Sequence, residues 1–543
     1  MRRRLFSSQL GPRLTGAQTR FFGTRTDRGK SRLRTLFPYE YSVRIQRTLC
    51  APVENGSEAM SNTMNWDETG AWQVRGDWGS TDSAGRRFSV ARWQARLDRL
   101  LAEHHVPGAA LAVLVDGQIY EIAGGVLHRG TRVPVTTDSV FLCGSIAKVY
   151  TATLIMRLVD AGELDLDAPV VDVLPEFATP DKRATATITI RQLLSHTGGV
   201  TNDFNHDTGR GDDCLAAYVE AARDVALDCP PGTAMSYGSL GYVVLGRVVE
   251  VLTGKTWDEA VHDMLAVPLG LDRLVTLPEQ ALKFRVAMSH LGAAGVDPDP
   301  APEWDVMPRS VAPAARVITS AGDMVRFARM HLDGGRAADG AEVLSAAAVA
   351  AMQRREVDVP DKWTVSADGW GLGWTLYDWD GVKGFGHDGA AIGQYAYLRA
   401  VPGAGVAVAL LTNGGGARPL CSALFGELLA ELADVRVPDA FGPADPPVAV
   451  DIAPFVGTYR RAGVVITVSK RDDGTGHMRY EFVDGMAGLS PALSMDLTPV
   501  GPTVFAASGA GPSFSEDYMP VVFATLADGT ECCYVGMRAT PKA

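Results

Sequence analysis

Apolar residues recur every three or four positions over Ser89–Glu103, which predicts an amphipathic helix. Two apolar runs follow, Gly108–Val115 and Ile119–Val126, and they flank the dipeptide Asp116-Gly117. An Asp-Gly pair between two such runs is a strong signal for a β-hairpin. The first folded elements are therefore predicted to be a helix and a hairpin.

A second hairpin is predicted far downstream, over residues 395–400 and 406–412, with Pro402-Gly403 between its strands. The long stretch between the two hairpins is dominated by helical patterns. Val149–Ala161 and Leu240–Leu252 are examples, and each is closed by a glycine. Strands at both ends with helices between them predict an α+β fold, in which helices flank a sheet whose edges come from distant parts of the chain.

The composition changes after residue 435, where four prolines mark residues 436–449 as a linker. Short strand-like pieces separated by Gly and Asp follow, which is the pattern of a small β-sandwich or barrel. The pieces are Phe455–Tyr459, Val464–Ser469, Met478–Val483, Val504–Ala507, Val521–Leu526 and Cys533–Met537. Residues 450–543 are therefore predicted to form an all-β accessory domain behind a main domain over residues 72–435.

Residues 1–71 are predicted to be a basic extension of the folded chain. Residues 1–59 contain 12 Lys and Arg against 4 Asp and Glu, and six arginines precede Asp27. This composition resembles an organellar transit peptide. The alternative, which we favour, is a disordered extension upstream of a true start at Met60 or Met64. We accordingly expect a cytoplasmic protein, with an organellar location as the alternative.

The charge and cysteine content narrow the classes of partner. Without the first 59 residues, the totals of 51 basic and 63 acidic residues fall to 39 and 59. This acidic body lacks the clustered cations that nucleic acids and anionic membranes require, and no stretch has the length and apolarity to span a bilayer. The seven cysteines are scattered, and no H-E-x-x-H motif occurs. We therefore expect reduced thiols, no metal and no other cofactor.

Ser145-Ile146-Ala147-Lys148 is the only S-x-x-K sequence in the chain, and it stands where a strongly apolar helix begins. Residues three apart share a helix face, so Lys148 can reach the Ser145 hydroxyl. A lysine amine can remove the serine proton if desolvation or neighbouring cations lower its pKa. The structural alternative makes Ser145 an N-cap and Lys148 a solvated cation, although a cation is unfavourable in the first turn of a helix.

Two further motifs follow in the chain, Tyr237-Gly238-Ser239 and His387-Asp388-Gly389. In this order and spacing, the three motifs resemble those of the serine β-lactamases and penicillin-binding proteins, specifically their class C-like branch with its related esterases. The resemblance extends roughly over residues 106–429 and includes other similar stretches. These are residues 190–199, Pro231-Gly232-Thr233, residues 319–324 and residues 371–374. The resemblance implies a β-lactamase-like fold for the main domain.

The resemblance also implies catalytic roles. Ser145 corresponds to the acylated nucleophile, and Lys148 and Tyr237 to the pair that moves its proton to the leaving group. We expect a Lys148 ammonium to lower the pKa of the Tyr237 phenol, which can then act as a base and later as an acid. Ser239 replaces the family's Asn, so its shorter hydroxyl is expected to contact Lys148 or the substrate.

The third motif supplies the residues expected around the substrate. His387 stands where the lactamases carry Lys, and it is expected to hydrogen-bond Tyr237 or the substrate. Gly389 is expected to let the substrate lie against the strand edge. The N–H of Ala390, inferred by position, is expected to form an oxyanion hole with the N–H of Ser145.

These residues predict a serine hydrolase that acts on a small ester or amide through an acyl-enzyme, either an esterase or a D-amino-acid amidase or peptidase. A neutral imidazole offers less positive charge than an ammonium, so β-lactamase activity is expected to be weak or absent. The alternative is a catalytically silent binding or scaffold protein with the same fold. Cys143, His196 and His290 are interpreted as structural residues, and the sequence leaves the oligomeric state open.

Overall fold

The computed structural model describes residues 65–66, 72–73, 88–204, 206–293, 295–304, 307–488, 490–508 and 518–543. The chain divides into two compact units, residues 1–81 and 82–543. In the first unit, strands Asn65–Trp66 and Trp72–Gln73 pair in antiparallel fashion. The predicted basic extension otherwise lies outside the described residues, as do both candidate start methionines.

An antiparallel sheet of eight strands forms the centre of the second unit. In spatial order the strands are Gln118–Gly125, Gly108–Val115, Val406–Thr412, Gln394–Val401, Val382–Ala391, Thr375–Trp379, Gly369–Trp370 and Val357–Asp358. Both predicted hairpins are present. Asp116 and Gly117 have φ values of 50° and 73°, the positive angles of a type I′ turn.

The two hairpins meet through the strands Gly108–Val115 and Val406–Thr412, where Leu114 pairs with Ala407. Every residue of Gly108–Val115 is buried, because each face of the sheet is covered by its own apolar core. This explains why the strand is a continuous apolar run rather than an alternating one. The prediction of a sheet assembled from distant parts of the chain is confirmed.

Helices cover both faces of this sheet. Val90–Glu103 and Ala417–Ala433 pack on one face, and the other carries Ala147–Asp160, Ser239–Thr253 and Ala321–Leu332. The shorter helices are Val170–Val173, Lys182–Thr187, Ile190–Leu194, Cys214–Ala221, Trp257–Val261, Val267–Leu269, Pro278–Ala281, Ala312–Ala315 and Ala346–Met352. Most of these helices lie in the chain between the two hairpins of the sheet. The predicted fold, an antiparallel sheet flanked by helices with a large helical insertion, is therefore confirmed. No helix in the described ranges is long and apolar enough to cross a membrane.

The C-terminal region is an antiparallel meander of eight strands whose last strand returns to the first, since Tyr459 bridges Lys542. The strands are Gly457–Arg461, Val464–Lys470, Gly476–Phe482, Leu493–Gly501, Val504–Ser508, Tyr518–Thr525, Glu531–Val535 and Arg538–Pro541. We refer to these strands as the barrel. The sequence predicted six strands and missed two, because Leu493–Gly501 is interrupted by polar residues and Arg538–Pro541 is only four residues long.

Candidate active site

Ser145 lies on a 3-10 turn, Gly144–Ile146, which leads into the helix Ala147–Asp160. The sequence placed it at the start of the helix, and the structure places it in this turn, two residues before Ala147, the first residue of the helix. The turn follows a short strand, Phe141–Leu142, and is anchored where the Cys143 N–H donates to the Val317 carbonyl at 2.8 Å. Cys143 is buried, and burial raises the pKa of its thiol to about 12. It therefore has the structural role predicted for it.

Lys148 is fully buried and points its amine at the nucleophile. Its Nζ lies 3.2 Å from Ser145 Oγ, 3.1 Å from Ser239 Oγ and 2.9 Å from the Ala314 carbonyl oxygen. Burial, together with the positive charge of Arg538, holds the pKa of Lys148 well below its ordinary value. Since a neutral amine has a free lone pair, Lys148 can accept the Ser145 proton directly.

The Tyr237 ring lies against the same amine, with Lys148 Nζ 4.8 Å from the ring centroid. Burial raises the pKa of the phenol to about 12, although a hydrogen bond with the Ser145 side chain and the Arg538 charge act in the opposite direction. The expected lowering of this pKa by a Lys148 ammonium is therefore wrong. Burial is the larger effect, and it also disfavours the charged form of Lys148.

Ser239 occupies the position beside Lys148 that the sequence assigned to it. Its hydroxyl donates to Asn202 Oδ1 at 2.7 Å while its oxygen lies near Lys148 Nζ. Asn202, which was not predicted from the sequence, is thus linked to the Lys148 amine indirectly, through the Ser239 hydroxyl. It lies in the loop after residues 190–199, and its place near the motifs depends on tertiary folding alone.

The strand Val382–Ala391, which carries the third motif, lies against the turn Gly144–Ile146, which we call the nucleophile turn. The pairing of this strand with Thr375–Trp379 ends at Gly386. Among the described residues, no other strand pairs with residues 387–391 along that edge. A Cβ built on Gly389 would collide with the Cys143 carbonyl oxygen, and one on Gly144 would lie 2.7 Å from the Ala390 nitrogen. The room expected for substrate at Gly389 is therefore occupied by the nucleophile turn, and the glycine permits this close backbone approach.

His387 is buried, and its ring centroid lies 6.4 Å from that of Tyr237 and 5.4 Å from that of Trp370. Nδ1 lies 2.6 Å from the Asp388 carbonyl oxygen and donates to it, while Nε2 is buried without a hydrogen-bond partner among the described residues. The predicted hydrogen bond to Tyr237 is therefore absent. Burial lowers the pKa of His387 to about 4, so the imidazole is neutral near pH 7.

Arg538, which comes from the barrel, was missed by the sequence analysis. Its guanidinium carbon lies 5.4 Å from the Tyr237 ring centroid, and its charge contributes to lowering the pKa of Lys148. The strand that begins with it is bonded to the main domain, because the Ala539 N–H donates to Ser236 Oγ at 3.2 Å. No local pattern in the sequence points to this arginine, because it reaches Tyr237 only through the packing of the barrel against the main domain.

Two histidines outside the catalytic motifs are structural, as predicted. His196 Nδ1 accepts from the Gly238 N–H at 3.1 Å, and its ring lies 4.5 Å from that of Tyr237. His290 Nδ1 donates to the Asn413 carbonyl at 2.9 Å. Within the ranges that the structure describes, no group of His, Cys, Asp and Glu side chains could hold a metal ion.

Comparison with known proteins agrees with the family that the three sequence motifs resemble. The family model described as Beta-lactamase matches residues 93–430. Penicillin-binding protein 4 of Amycolatopsis lactamdurans is 61% identical over 376 residues, which cover 69% of this chain and 99% of that protein. Crystal structures of SurE and of SurE with D-Leu are 31% and 30% identical, with TM-scores of 0.66 and 0.63. Each alignment covers 83% of this chain and 99% of the solved one.

Proposed function

This chain belongs to the Beta-lactamase family of serine hydrolases, and on that premise we propose that it cleaves an ester or amide through an acyl-enzyme on Ser145. One observation carries the proposal. The amine of Lys148, fully buried and with a lowered pKa, lies 3.2 Å from the Ser145 hydroxyl. A buried neutral amine at hydrogen-bonding distance from a serine is the base that nucleophilic catalysis needs.

In the acylation step, Ser145 Oγ attacks the substrate carbonyl carbon while Lys148 takes the hydroxyl proton. The backbone N–H groups of Ser145 and Ala390 stabilise the negative charge that develops on the carbonyl oxygen. Tyr237, which keeps its phenolic proton because of its raised pKa, donates it to the leaving alcohol or amine and recovers one from Lys148. Water then attacks the acyl carbon while Lys148 takes its proton, the bond from the acyl carbon to Ser145 Oγ breaks, and the serine oxygen recovers that proton from Lys148.

The charges around the nucleophile favour a substrate with a carboxylate near the scissile bond. The lowered pKa values of Lys148 and His387 disfavour their charged forms, whereas the guanidinium of Arg538 lies beside Tyr237. A guanidinium can bind a carboxylate through two parallel hydrogen bonds. SurE, to which the chain is similar, has been crystallised with D-Leu. We therefore assign peptides and N-acyl compounds that end in a D-amino acid with a free carboxylate as the substrate class, and we rank β-lactams behind them because His387 stands where the lactamases carry Lys.

This assignment gives the barrel a role in the site. We propose that residues 450–543 form an accessory domain, connected through residues 436–449, that places Arg538 beside the catalytic groups of the domain over residues 72–435.

A fluorophosphonate probe tests the hydrolase proposal. Wild-type protein should form a covalent adduct, seen by intact-mass spectrometry, and Ser145→Ala should form none. Ser494→Ala removes an exposed hydroxyl on the barrel and serves as the matched control. Lys148→Ala and Tyr237→Phe should lower turnover by about 10²–10⁴-fold while leaving the circular dichroism spectrum unchanged. Absence of labelling in the wild type would instead support the silent binding protein.

A substrate panel tests the assigned class. We expect turnover of short-chain p-nitrophenyl esters and of an N-acetylated dipeptide that ends in D-leucine, slower turnover of the same dipeptide ending in L-leucine, and little or no hydrolysis of a chromogenic cephalosporin. Rapid cephalosporin hydrolysis would overturn the ranking of substrates while leaving the role of Ser145 intact.

A further inference from the structure

A buried ion pair joins the barrel to a loop of the main domain. Arg461 lies at the end of the first barrel strand, with its Nη2 2.7 Å from Oδ2 of Asp203 in the loop. The two side chains are 0% and 7% exposed. The guanidinium also donates to Thr540 Oγ1 and to the Tyr480 hydroxyl, each at 3.1 Å. Barrel groups therefore hold this cation where it faces the carboxylate of the main domain.

The Asp203 carboxylate can only accept hydrogen bonds. Burial acts to raise its pKa, but the charges of Arg461 and Arg538 and the hydrogen bond from Asn202 outweigh that effect, and the pKa is lowered. An ionised carboxylate has no proton to donate. The Asn202 amide must therefore turn its NH₂ group to this carboxylate, and its Nδ2 does donate to Asp203 Oδ1 at 2.9 Å. The amide oxygen consequently faces the other way.

The direction set by this carboxylate passes to the catalytic amine. Because Asn202 Oδ1 can only accept, the Ser239 hydroxyl donates its proton to that oxygen at 2.7 Å. The Ser239 oxygen then accepts from Lys148 Nζ at 3.1 Å, and the Ala314 carbonyl accepts from the same nitrogen at 2.9 Å. A neutral amine has two N–H groups and one lone pair. With both N–H groups engaged, the lone pair faces the nucleophile oxygen, 3.2 Å away.

We propose that Asp203 and Arg461 are positioning residues that keep the lone pair of Lys148 directed at the nucleophile. They act through the side chains of Asn202 and Ser239, and we call the hydrogen bonds from Asp203 to Lys148 the relay. This inference rests on the proposed hydrolase function, in which Lys148 is the base. If the relay ran in the opposite direction, the Ser239 hydroxyl would donate to the amine and occupy the lone pair that the nucleophile needs.

Asp203→Asn should reverse the relay. The buried guanidinium of Arg461 requires an acceptor, so the new amide turns its oxygen to the cation and its NH₂ group to Asn202. Asn202 then accepts on that side and donates to Ser239, whose hydroxyl donates to the amine. We expect the maximal rate of fluorophosphonate labelling of Ser145, followed by intact-mass spectrometry, to fall at least about tenfold. The probe concentration that gives half this rate should stay unchanged, because the substrate site is intact.

Ser239→Ala distinguishes the relay from a structural clamp. It removes the hydroxyl through which Asp203 acts, so adding Asp203→Asn to it should cause a further loss of less than about twofold. A purely structural ion pair would cause the same loss in both backgrounds. Asp484→Asn is the matched control, because it makes the same chemical change at an exposed barrel carboxylate that pairs with Arg460. It should label as the wild type does.

The part assigned to Arg461 has its own pair of variants. Arg461→Met removes the charge that keeps Asp203 ionised, so the buried carboxyl takes up a proton, can donate it to Asn202, and no longer sets the direction of the relay. Labelling should slow as it does in Asp203→Asn. Arg461→Lys keeps a cation opposite the carboxylate and should retain most of the rate. Equal rates in Arg461→Met and the wild type would overturn the role of this arginine.

Asn202→Ala keeps the ion pair and breaks the relay at its next link, so it should show a loss similar to that of Asp203→Asn. It decides the matter if circular dichroism shows that Asp203→Asn is unfolded. A wild-type labelling rate in Asn202→Ala or in folded Asp203→Asn would overturn the proposal, as would equal losses from Asp203→Asn with and without Ser239→Ala. Absence of labelling in the wild type would overturn the hydrolase function itself, so the two failures are distinguishable.

Discussion

The backbone N–H of Tyr237 donates to the carbonyl of Met537 at 2.9 Å, so the residue carrying the phenol is bonded directly to the barrel. The N–H of Met537 in turn donates to Asp361 Oδ2 at 2.6 Å, and that carboxylate is buried in the main domain. A chain of hydrogen bonds thus runs from the main domain through the barrel turn to the backbone of Tyr237. The barrel helps to position Tyr237 as well as supplying Arg538.

Arg538→Met is expected to move the acidic limb of the kcat/KM profile to higher pH. The guanidinium helps to lower the pKa of Lys148, so its removal lets the amine keep its proton to higher pH. The profile is measured with a p-nitrophenyl ester. Arg538→Lys should keep the limb near its original position, and Arg460→Met, which removes an exposed barrel arginine, should leave it unchanged. A uniform loss of rate at every pH would restrict Arg538 to a structural role.

Lys148→Met should abolish turnover and stabilise the fold at pH 7 by about 1–3 kcal/mol, because it replaces a buried polar group with an apolar one of similar length. This advantage should shrink as the pH rises. The pKa of Lys148 is lowered in the folded state, so between that value and the ordinary one the unfolded chain binds more protons. Raising the pH therefore stabilises wild-type protein relative to Lys148→Met, up to about pH 10.5.

Urea unfolding of both proteins from pH 6 to pH 10 measures this difference. A stability gap that stays constant with pH would mean that Lys148 is protonated in the folded state throughout the range.

The alkaline limb of the rate profile reports on Tyr237. Burial raises the pKa of its phenol to about 12, so the proton that it donates should remain in place throughout the pH range in which the protein is usually assayed. We expect kcat/KM to stay on a plateau through pH 9. His387, with its pKa lowered to about 4, should add no inflection near neutrality, and His387→Gln should keep the shape of the curve. A decline near pH 7 that disappears in this variant would contradict the low pKa of His387, and a decline below pH 9 that persists in it would contradict the high pKa of Tyr237.

Gly389→Ala should disrupt the approach of the third-motif strand to the nucleophile turn, since the new methyl group meets the Cys143 carbonyl. We expect a loss of about 1–3 kcal/mol in the free energy of unfolding and of about a hundredfold in kcat. Gly426→Ala is the matched control, because it lies in a helix with nothing near the added carbon. Wild-type activity in Gly389→Ala would show that the contact has no part in aligning the site.

The sequence predicted those parts of the site that depend on local spacing. Ser145 and Lys148 are three residues apart at a helix start, and their contact follows from helix geometry. Asn202 and Arg538 reach the site only through tertiary packing, so no local pattern pointed to them. The direction of the Tyr237 pKa shift was missed for a related reason. Proximity to Lys148 could be inferred from the motifs, whereas the burial that reverses the shift belongs to the folded state.

The pairing of Leu114 with Ala407 has a consequence for biosynthesis. The ribosome produces the first hairpin early, but the strand that pairs with Gly108–Val115 follows only after the whole helical insertion. Until then, eight consecutive apolar residues that the native state buries on both sides remain exposed to other nascent chains. Dilution or a chaperone that shields this strand should therefore raise the yield of refolded protein.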